Sequence, residues 1–364
     1  MRISWIDEFK GFVLLLVCLY HVEQGFPQAT LGMEHLSALR MSAFFFISGV
    51  LFSTRRFPDF KSYFVHKSRV LLFPYILLSL LFLALDPVVY QFDLYARAPK
   101  MVIMNTRPVI ENVGSYIGWN LAKIFVAGKS SIGSGPLWFV FTLYSISIAF
   151  FGLQKLCRGK TWAIVLGAAA SLVIGWTLYQ NHIRLPLGIE RGFTTLGFFA
   201  AGFASKGAIK KAGESPSKAK TFATLGTGIV AFLLYALVES PNPNFSIMNN
   251  DLGKSFWGFV SSSALGIAGL LSLFLVFARI PDFFFKGILR NISRNALVIL
   301  AVHWWALLVM RLLVRDMFNK PGIAYTVIPI VAAVVIAAIP LFRCKLYRLL
   351  GKEKISVSES LSIR

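Results

Sequence analysis

The distribution of apolar residues constrains this chain most. Ten runs approach the roughly 20 apolar residues that an α-helix needs to cross a hydrocarbon layer of about 30 Å. They fall at approximately 6–23, 36–53, 70–90, 136–156, 161–180, 190–206, 221–239, 256–278, 295–314 and 323–342 of 364 residues. The composition is 56% hydrophobic and only 15% charged, where soluble chains carry about 25% charged residues. Too little polar surface remains to cover a soluble two-domain enzyme, and a disordered chain, a collagen-like fibre or a small disulfide scaffold is excluded by the same balance. The expected fold class is all-α: a polytopic membrane helical bundle of about ten transmembrane helices. No internal repeat interrupts it, so 1–364 reads as one domain with a short basic tail at 343–364. The stretch 91–135 holds Pro99, Pro108 and a GKSSIGSG run, and reads as a long loop with one or two interfacial helices.

The net charge is +21, from 37 Lys and Arg against 16 Asp and Glu. In a soluble protein such an excess points to nucleic acid. Here the basic residues sit in short clusters between the apolar runs, the positive-inside pattern of membrane loops, and no nucleic-acid partner is implied. With the N-terminus inside, the inner segments are 1–10, 54–69, 155–160, 206–220, 279–294 and 343–364. They hold 25 of the 37 basic residues. The outer stretch 22–35 has Glu23 and Glu34 but no Lys or Arg. Both termini are therefore expected in the cytoplasm, and the chain is expected to be multi-pass in the cell membrane, inner or plasma. GESPSKAK (213–220) reads as an inner loop and 240–254 as a polar outer one. Cys18, Cys157 and Cys344 give no disulfide framework and no CxxC pair. Asp7 and Glu8 open the first run and no small-residue cleavage site follows, so that run reads as a retained helix.

An ionisable residue inside an apolar run is costly in a membrane and marks a functional candidate. The first run holds Asp7, Glu8, Lys10 and His21. Over the eleven residues from Lys10 to His21 a helix turns back to nearly the same face, with an axial rise of about 16 Å. Asp7 lies one turn before Lys10 on that face. An imidazole with an ordinary pKa of about 6.5 suits a general base, and an ammonium suits a phosphate as a point charge. An extended cofactor could lie along such a stripe, phosphates at Lys10 and reactive end at His21. The same residues also suit interface anchors, and periodicity does not choose between the two.

His303 lies near the middle of its run and is followed by Trp304 and Trp305; a hydrogen-bonded packing residue and a functional one both fit. Arg40 precedes SAFFFISGVLF, where Ser48 and Gly49 form a small pair of the kind that lets membrane helices approach closely. The inner loop with Arg55, Arg56, Lys61, Lys67 and Arg69 satisfies topology, and suits diphosphate or anionic lipid headgroups equally. Glu190 and Arg191 read as an ion pair or as part of a substrate pocket. His35, His66 and His182 read as ordinary. There is no HExxH and no His pair at i, i+4, so no metal is expected. There is no GxxxxGK[ST] and no GxSxG, which leaves an ATPase or a serine hydrolase without support.

Five stretches in order resemble the acyltransferase-3 family of integral-membrane O-acyltransferases. WIDEFKGFVLLLVCLYH (5–21) is similar to its opening motif, with Lys10 where Arg is usual and His21 after ten intervening residues. The lysine variant resembles the fucose-4-O-acetylase-like branch. MSAFFFISGVLF (41–52), KSRVLLFPY (67–75), GPLWFVFTLY (135–144) with Trp138, and SRNALVILAVH (293–303) complete the resemblance, which runs from about 5 to 342. It implies acetyl-CoA or another acyl-CoA as a cytoplasmic donor. The acceptor it implies is a hydroxyl of a glycan, a glycolipid or another small molecule, in contact with membrane lipid. On that basis His21 is the expected base, with Lys10 and Asp7 beside it. Lys10, Arg55, Arg56, Lys67 and Arg69 are expected on the diphosphate, and Trp138, His303, Arg191 and Ser48 on the acceptor. Transfer is direct or runs through an acyl-His21 intermediate. The alternative class, a polytopic transporter or flippase for a glycan or lipid precursor, calls for an inverted repeat and paired helix-breaking segments, and the sequence has neither.

Overall fold

The computed structural model describes residues 4–26, 28–55, 57, 59–94, 103, 106–213, 217–239, 245–314 and 322–351. Arg56, parts of the expected loops at 213–220 and 240–254, and the end of the basic tail lie outside these. The described residues are helical, without a strand: α1 (Ser4–Gly25), α2 (Ser37–Val50), α3 (Phe60–Lys67), α4 (Phe73–Leu83), α5 (Asp86–Gln91), α6 (Val113–Phe125), α7 (Trp138–Leu156), α8 (Thr161–Gln180), α9 (Ile189–Gly213), α10 (Lys218–Glu239), α11 (Phe256–Phe277), α12 (Phe284–Arg294), α13 (Ala296–Leu313) and α14 (Ile323–Cys344).

Among the described residues seven helical segments are long and apolar enough to cross a membrane: Phe60–Leu83, Gly135–Leu156, α8, α10, α11, α13 and α14. Outward-facing apolar side chains on α8 (Trp162, Val165, Leu166), α10 (Phe222, Ile229, Val230, Leu233, Leu237) and α14 (Tyr325, Ile336) are exposed. A water-facing surface of that kind is rare, whereas lipid tails accept it. The chain is a multi-pass membrane protein. The other three expected runs, at 6–23, 36–53 and 190–206, are helices as well, but α1 and α9 carry more charge and α2 has only 14 residues. α2 is the most enclosed of the three. All of α2 except Met41 and Ser48 is buried, so its polar groups meet protein rather than lipid.

The helices gather into two compact units. One comprises Met1–Tyr20, Thr30–Arg56 and Ser145–Ala296. Within it α2 packs on α9 and α11, α8 on α9, and α10 on α11. The α2–α9 contact is reciprocal: Gly49 sits against the Phe199 carbonyl and Gly202 against the Phe46 carbonyl, where any Cβ would overlap backbone. Rings of Phe52, Phe150, Phe199 and Phe203 fill the space below. Gly11 of α1 meets the Leu289 carbonyl of α12 in the same way. There Ser293 donates to Asp7 at 3.3 Å, and Arg290 bridges Glu8 at 3.1 Å and Asp282 at 2.8 Å. Arg40 is satisfied by the Met33 carbonyl and by the Tyr20 ring, 3.9 Å from its guanidinium carbon.

The second unit comprises His21–Ala29, Phe57–Tyr144 and Leu297–Arg364. Its third expected run, 70–90, is corrected. The crossing helix starts at Phe60 and ends at Leu83, so Lys61, Lys67 and Arg69 ride on a helix rather than in a loop. α3 and α4 join through a π-helical turn at Ser68–Leu72. Pro74 explains it: proline has no N–H to donate, and its ring crowds the carbonyl one turn back. Gly351, at φ 65°, lies over the Arg69 carbonyl and the Pro74 ring. The expected loop at 279–294 is likewise corrected, since α12 occupies most of it. Its basic residues Lys286, Arg290 and Arg294 recur every four positions, and Phe284 lies exposed beside them.

Replacing Gly49 by Ala should separate α2 from α9 and destabilise the protein by about 1–3 kcal/mol, the usual range for overpacking. Gly226→Ala on the open face of α10, where nothing lies within 4 Å of an added Cβ, should be neutral or slightly stabilising because alanine favours helix. Thermal unfolding midpoints of the two variants in detergent check this.

Candidate active site

The second unit brings together two of the histidines that the sequence marks. α1 delivers His21 at its C-terminal end, and α13 delivers His303 from its middle. His21 Nδ1 stands 2.8 Å from His303 Nε2, and His303 Nδ1 stands 2.6 Å from the carbonyl of Ile299, one turn back on α13. A carbonyl only accepts, so in two neutral rings the hydrogen of His303 is on Nδ1 and its Nε2 carries the lone pair. His21 Nδ1 must then donate to it, which leaves the lone pair of His21 on Nε2. The chain of bonds selects one tautomer of each ring and aims one basic nitrogen. Proton uptake at His21 Nε2 leaves Nδ1–H in place and strengthens its bond to His303, because the donor becomes cationic.

Trp304 holds this pair in place. Its ring meets the His21 ring edge-on at 5.0 Å between centroids, and its Nε1–H donates to the Ile132 carbonyl at 2.7 Å. The loop that receives it, part of the GKSSIGSG run, is buried rather than exposed. The Ile132 N–H donates to Asn120 Oδ1 of α6 at 3.1 Å, and the Ser131 and Ser134 hydroxyls pair at 2.9 Å. Gly135, at φ 42°, has the Trp304 ring where a Cβ would stand, so the close approach needs glycine. Tyr75 of α4 ties off the end of α6, donating to the carbonyls of Ile124 at 2.9 Å and Lys129 at 2.5 Å.

The sequence reading missed Asp86, which the same loop covers. It lies past the end of the crossing helix, at the start of α5, and is fully buried. Burial pushes its carboxyl up to about 7, and the Ser131 hydroxyl, the charge of Lys123 and the Gly133 amide relieve only part of that. The signal was present, because an aspartate in LFLALDPVV is an ionisable residue in an apolar run.

The other expected site residues are placed as follows. Lys10 is half-buried on α1, with Asp7 and Glu8 engaged by α12. Arg55 and Arg69 are exposed, and Lys67 is half-exposed with its ammonium 5.5 Å from the Tyr63 ring centre. Arg56 lies outside the described residues. Trp138 is buried at the start of α7. Arg191 is fully buried at the start of α9, its guanidinium over Gly188; the neighbouring Glu190 accepts from the Leu185 N–H at 3.0 Å. Ser48 donates to the Phe44 carbonyl of its own helix at 2.8 Å. Among the described residues no group of three His, Cys, Asp or Glu side chains is arranged to hold a metal ion.

No curated protein and no solved structure matches the chain. A family model described as an acyltransferase domain matches residues 3–342, and nothing in that match favours a transporter. With the histidine pair and the apolar helices, this near-complete match places the chain in the acyltransferase-3 family of membrane O-acyltransferases.

Proposed function

We propose that the protein transfers an acetyl or other short acyl group from acyl-CoA, presented at the cytoplasmic face, to a hydroxyl of an extracytoplasmic glycan or glycolipid of the cell envelope. Both units then serve one acyltransferase activity. The observation that carries the reading is the hydrogen-bond chain from the Ile299 carbonyl through His303 to His21. It gives His21 Nε2 the basic lone pair that acyl transfer to an alcohol needs.

His21 Nε2 takes the proton of the acceptor hydroxyl as that oxygen attacks the thioester carbonyl. The tetrahedral intermediate collapses with loss of the coenzyme A thiolate, and His21 Nε2–H returns the proton to the departing sulfur. The products are an ester and a free thiol. General-base help of this kind contributes about 10²–10⁴-fold. His303 is a positioning residue, because it fixes the tautomer and stabilises the imidazolium without touching substrate. For the donor, the exposed guanidiniums of Arg55 and Arg69 and the half-exposed Lys67 suit phosphate groups, with Lys10 and Arg56 as further cations. The inner-side excess of basic residues supports a cytoplasmic donor. Trp138, Arg191 and Ser48 remain proposed acceptor contacts on the family resemblance alone, since their described contacts are to protein.

Membrane vesicles supplied with radiolabelled acetyl-CoA should label an extractable glycan or lipid. His21→Ala should lower that labelling by about 10²–10⁴-fold at unchanged protein level; equal labelling by both would remove His21 from the mechanism.

The tautomer argument makes a separate prediction at His303. Its leucine variant leaves the His21 Nδ1–H buried without an acceptor, which costs about 1–3 kcal/mol, or roughly 5- to 150-fold in kcat. Glutamine restores both bonds, its amide N–H to Ile299 and its oxygen to His21. His303→Gln should therefore keep most of the turnover that His303→Leu loses, read from thiol release at saturating acetyl-CoA.

A further inference from the structure

The proposed base is held by two neighbouring rings. His303 receives the Nδ1–H of His21 at 2.8 Å, and the Trp304 ring meets the His21 ring edge-on at 5.0 Å between centroids. One hydrogen bond still lets a ring pivot about the bond. The direction of His21 Nε2 therefore depends on Trp304 as well. Trp304 is aimed from its far end, where Nε1–H donates to the Ile132 carbonyl at 2.7 Å. Ile132 lies in the turn between α6 and α7. A carbonyl in a turn has no helical ladder to set its direction, so something else must.

Side chains outside the turn do this. The Ile132 N–H donates to Asn120 Oδ1 of α6 at 3.1 Å, and the Gly133 amide meets the Asp86 carboxyl of α5. A Cβ on Gly133 would overlap Asp86 Oδ1, so the backbone comes this close only as glycine. The Ile132 carbonyl and the Gly133 N–H belong to one peptide unit, and in a trans peptide they point opposite ways. Holding the N–H on one side aims the carbonyl on the other. Asn120 holds the preceding peptide unit. It is fully buried and is fastened in turn, its Nδ2–H donating to the Tyr116 carbonyl one turn back at 3.0 Å. Within the turn, Ser130 donates to the Gly135 carbonyl and the Ser134 N–H donates to Ser131 Oγ at 3.1 Å. The turn is thus closed on itself, and a pull at Ile132 moves it as a body. A purely local role for Asn120 would use only its bond inside α6. The oxygen that reaches Ile132 serves the turn.

We propose that Asn120 is a positioning residue for transfer at His21, acting through the Ile132 backbone and the Trp304 ring. It touches no substrate. It holds the turn that aims the indole that orients the base. The proposal rests on the acyl-transfer reading for what His21 does. Misdirection of a base lowers the rate of the chemical step and leaves donor affinity alone.

A double-mutant cycle on kcat tests it, read from thiol release in membrane vesicles supplied with acetyl-CoA. Asn120→Leu is close in volume and removes the oxygen that Ile132 needs. It should lower kcat by about 10- to 100-fold while leaving the KM for acetyl-CoA within about twofold. Trp304→Phe keeps a ring and removes the N–H that Ile132 holds, and it should lower kcat in the same way. The double variant should stay within about twofold of the worse single variant, because both break one linkage. Asn120→Asp keeps an oxygen for the Ile132 N–H in either ionisation state and should retain most of the turnover. If Asn120→Leu fails to fold, Asn120→Ala carries the same cycle. The second readout does not need transfer: the rate at which diethyl pyrocarbonate modifies His21, mapped by mass spectrometry, with exposed His182 as the internal control. That rate should shift in Asn120→Leu and shift no further in the double variant. An unchanged kcat in Asn120→Leu, losses that multiply in the double variant, an Asn120→Asp loss equal to that of leucine, or a rise in the acetyl-CoA KM in place of a fall in kcat overturns the positioning role and leaves the acyl-transfer reading standing. A wild type that releases no thiol overturns that reading, and the His21 modification rates then decide the positioning role alone: a shift common to single and double variants keeps it, and no shift overturns it.

Discussion

The hydrogen bond between His21 and His303 is the contact on which the proposed chemistry depends, and enclosure gives it force. In water an imidazole exchanges tautomers and orientations freely. Here the Ile299 carbonyl, which retains a second lone pair beyond its helix bond, holds one hydrogen on His303, and His303 then holds one on His21. The order is passed from backbone to base through two rings. A base prepared in this way needs no reorganisation when it takes a proton, which is how fixed dipoles lower a barrier. Trp304 belongs to the same device, since it presses on the His21 ring and is itself pinned by the Ile132 carbonyl. The glycine at 135 is what lets the backbone come that close.

Polarity is arranged in the opposite sense to that of a soluble protein. Asp7, Glu8, Arg40, Glu190 and Arg191 are buried, and the side chains that face outward on α8, α10 and α14 are apolar. Hydrocarbon does not draw apolar helices together, so packing must come from close contact and from polar bonds. That explains the reciprocal glycines at 49 and 202, which let α2 and α9 meet carbonyl to backbone. It also explains why each charge on the enclosed part of α1 is matched from α12, Asp7 by Ser293 and Glu8 by Arg290. A buried carboxylate with such a partner costs far less than one without. Asp86 is met less directly, by the Ser131 hydroxyl, the Gly133 amide and the charge of Lys123.

Much of this was legible in the sequence, for reasons that have limits. A fixed helical period relates Lys10 to His21 on one face, and α1 is one helix from Ser4 to Gly25. Apolar length located all ten expected runs as helices, seven of them in segments long and apolar enough to cross a membrane by that measure alone. The pairing of His21 with His303 spans 282 residues, and no local period encodes it. From sequence His303 stands only as an acceptor contact implied by resemblance, and the structure adds its bond to His21. The loop at 130–135 looked polar and therefore exposed. Its serine hydroxyls instead pair with each other, and Ile132 donates to Asn120 and accepts from Trp304. Asp86 was passed over because it fell inside an apolar run already counted as a span, and α12 because eleven amphipathic residues are too few to register as one.

Lysine at position 10, where the family usually has arginine, changes how a donor can be held. A guanidinium grips phosphate through a planar fork and so fixes its orientation, whereas an ammonium attracts it as a point charge and leaves orientation open. Under the proposed reading, orientation of the diphosphate falls to residues that keep the fork, Arg55 and Arg69 among those described, both of them exposed. Arg69 sits on the π-helical turn before Pro74, where the widened backbone is braced by Gly351. Under the same reading a lysine contributes attraction along the α1 stripe and leaves aim to the guanidiniums.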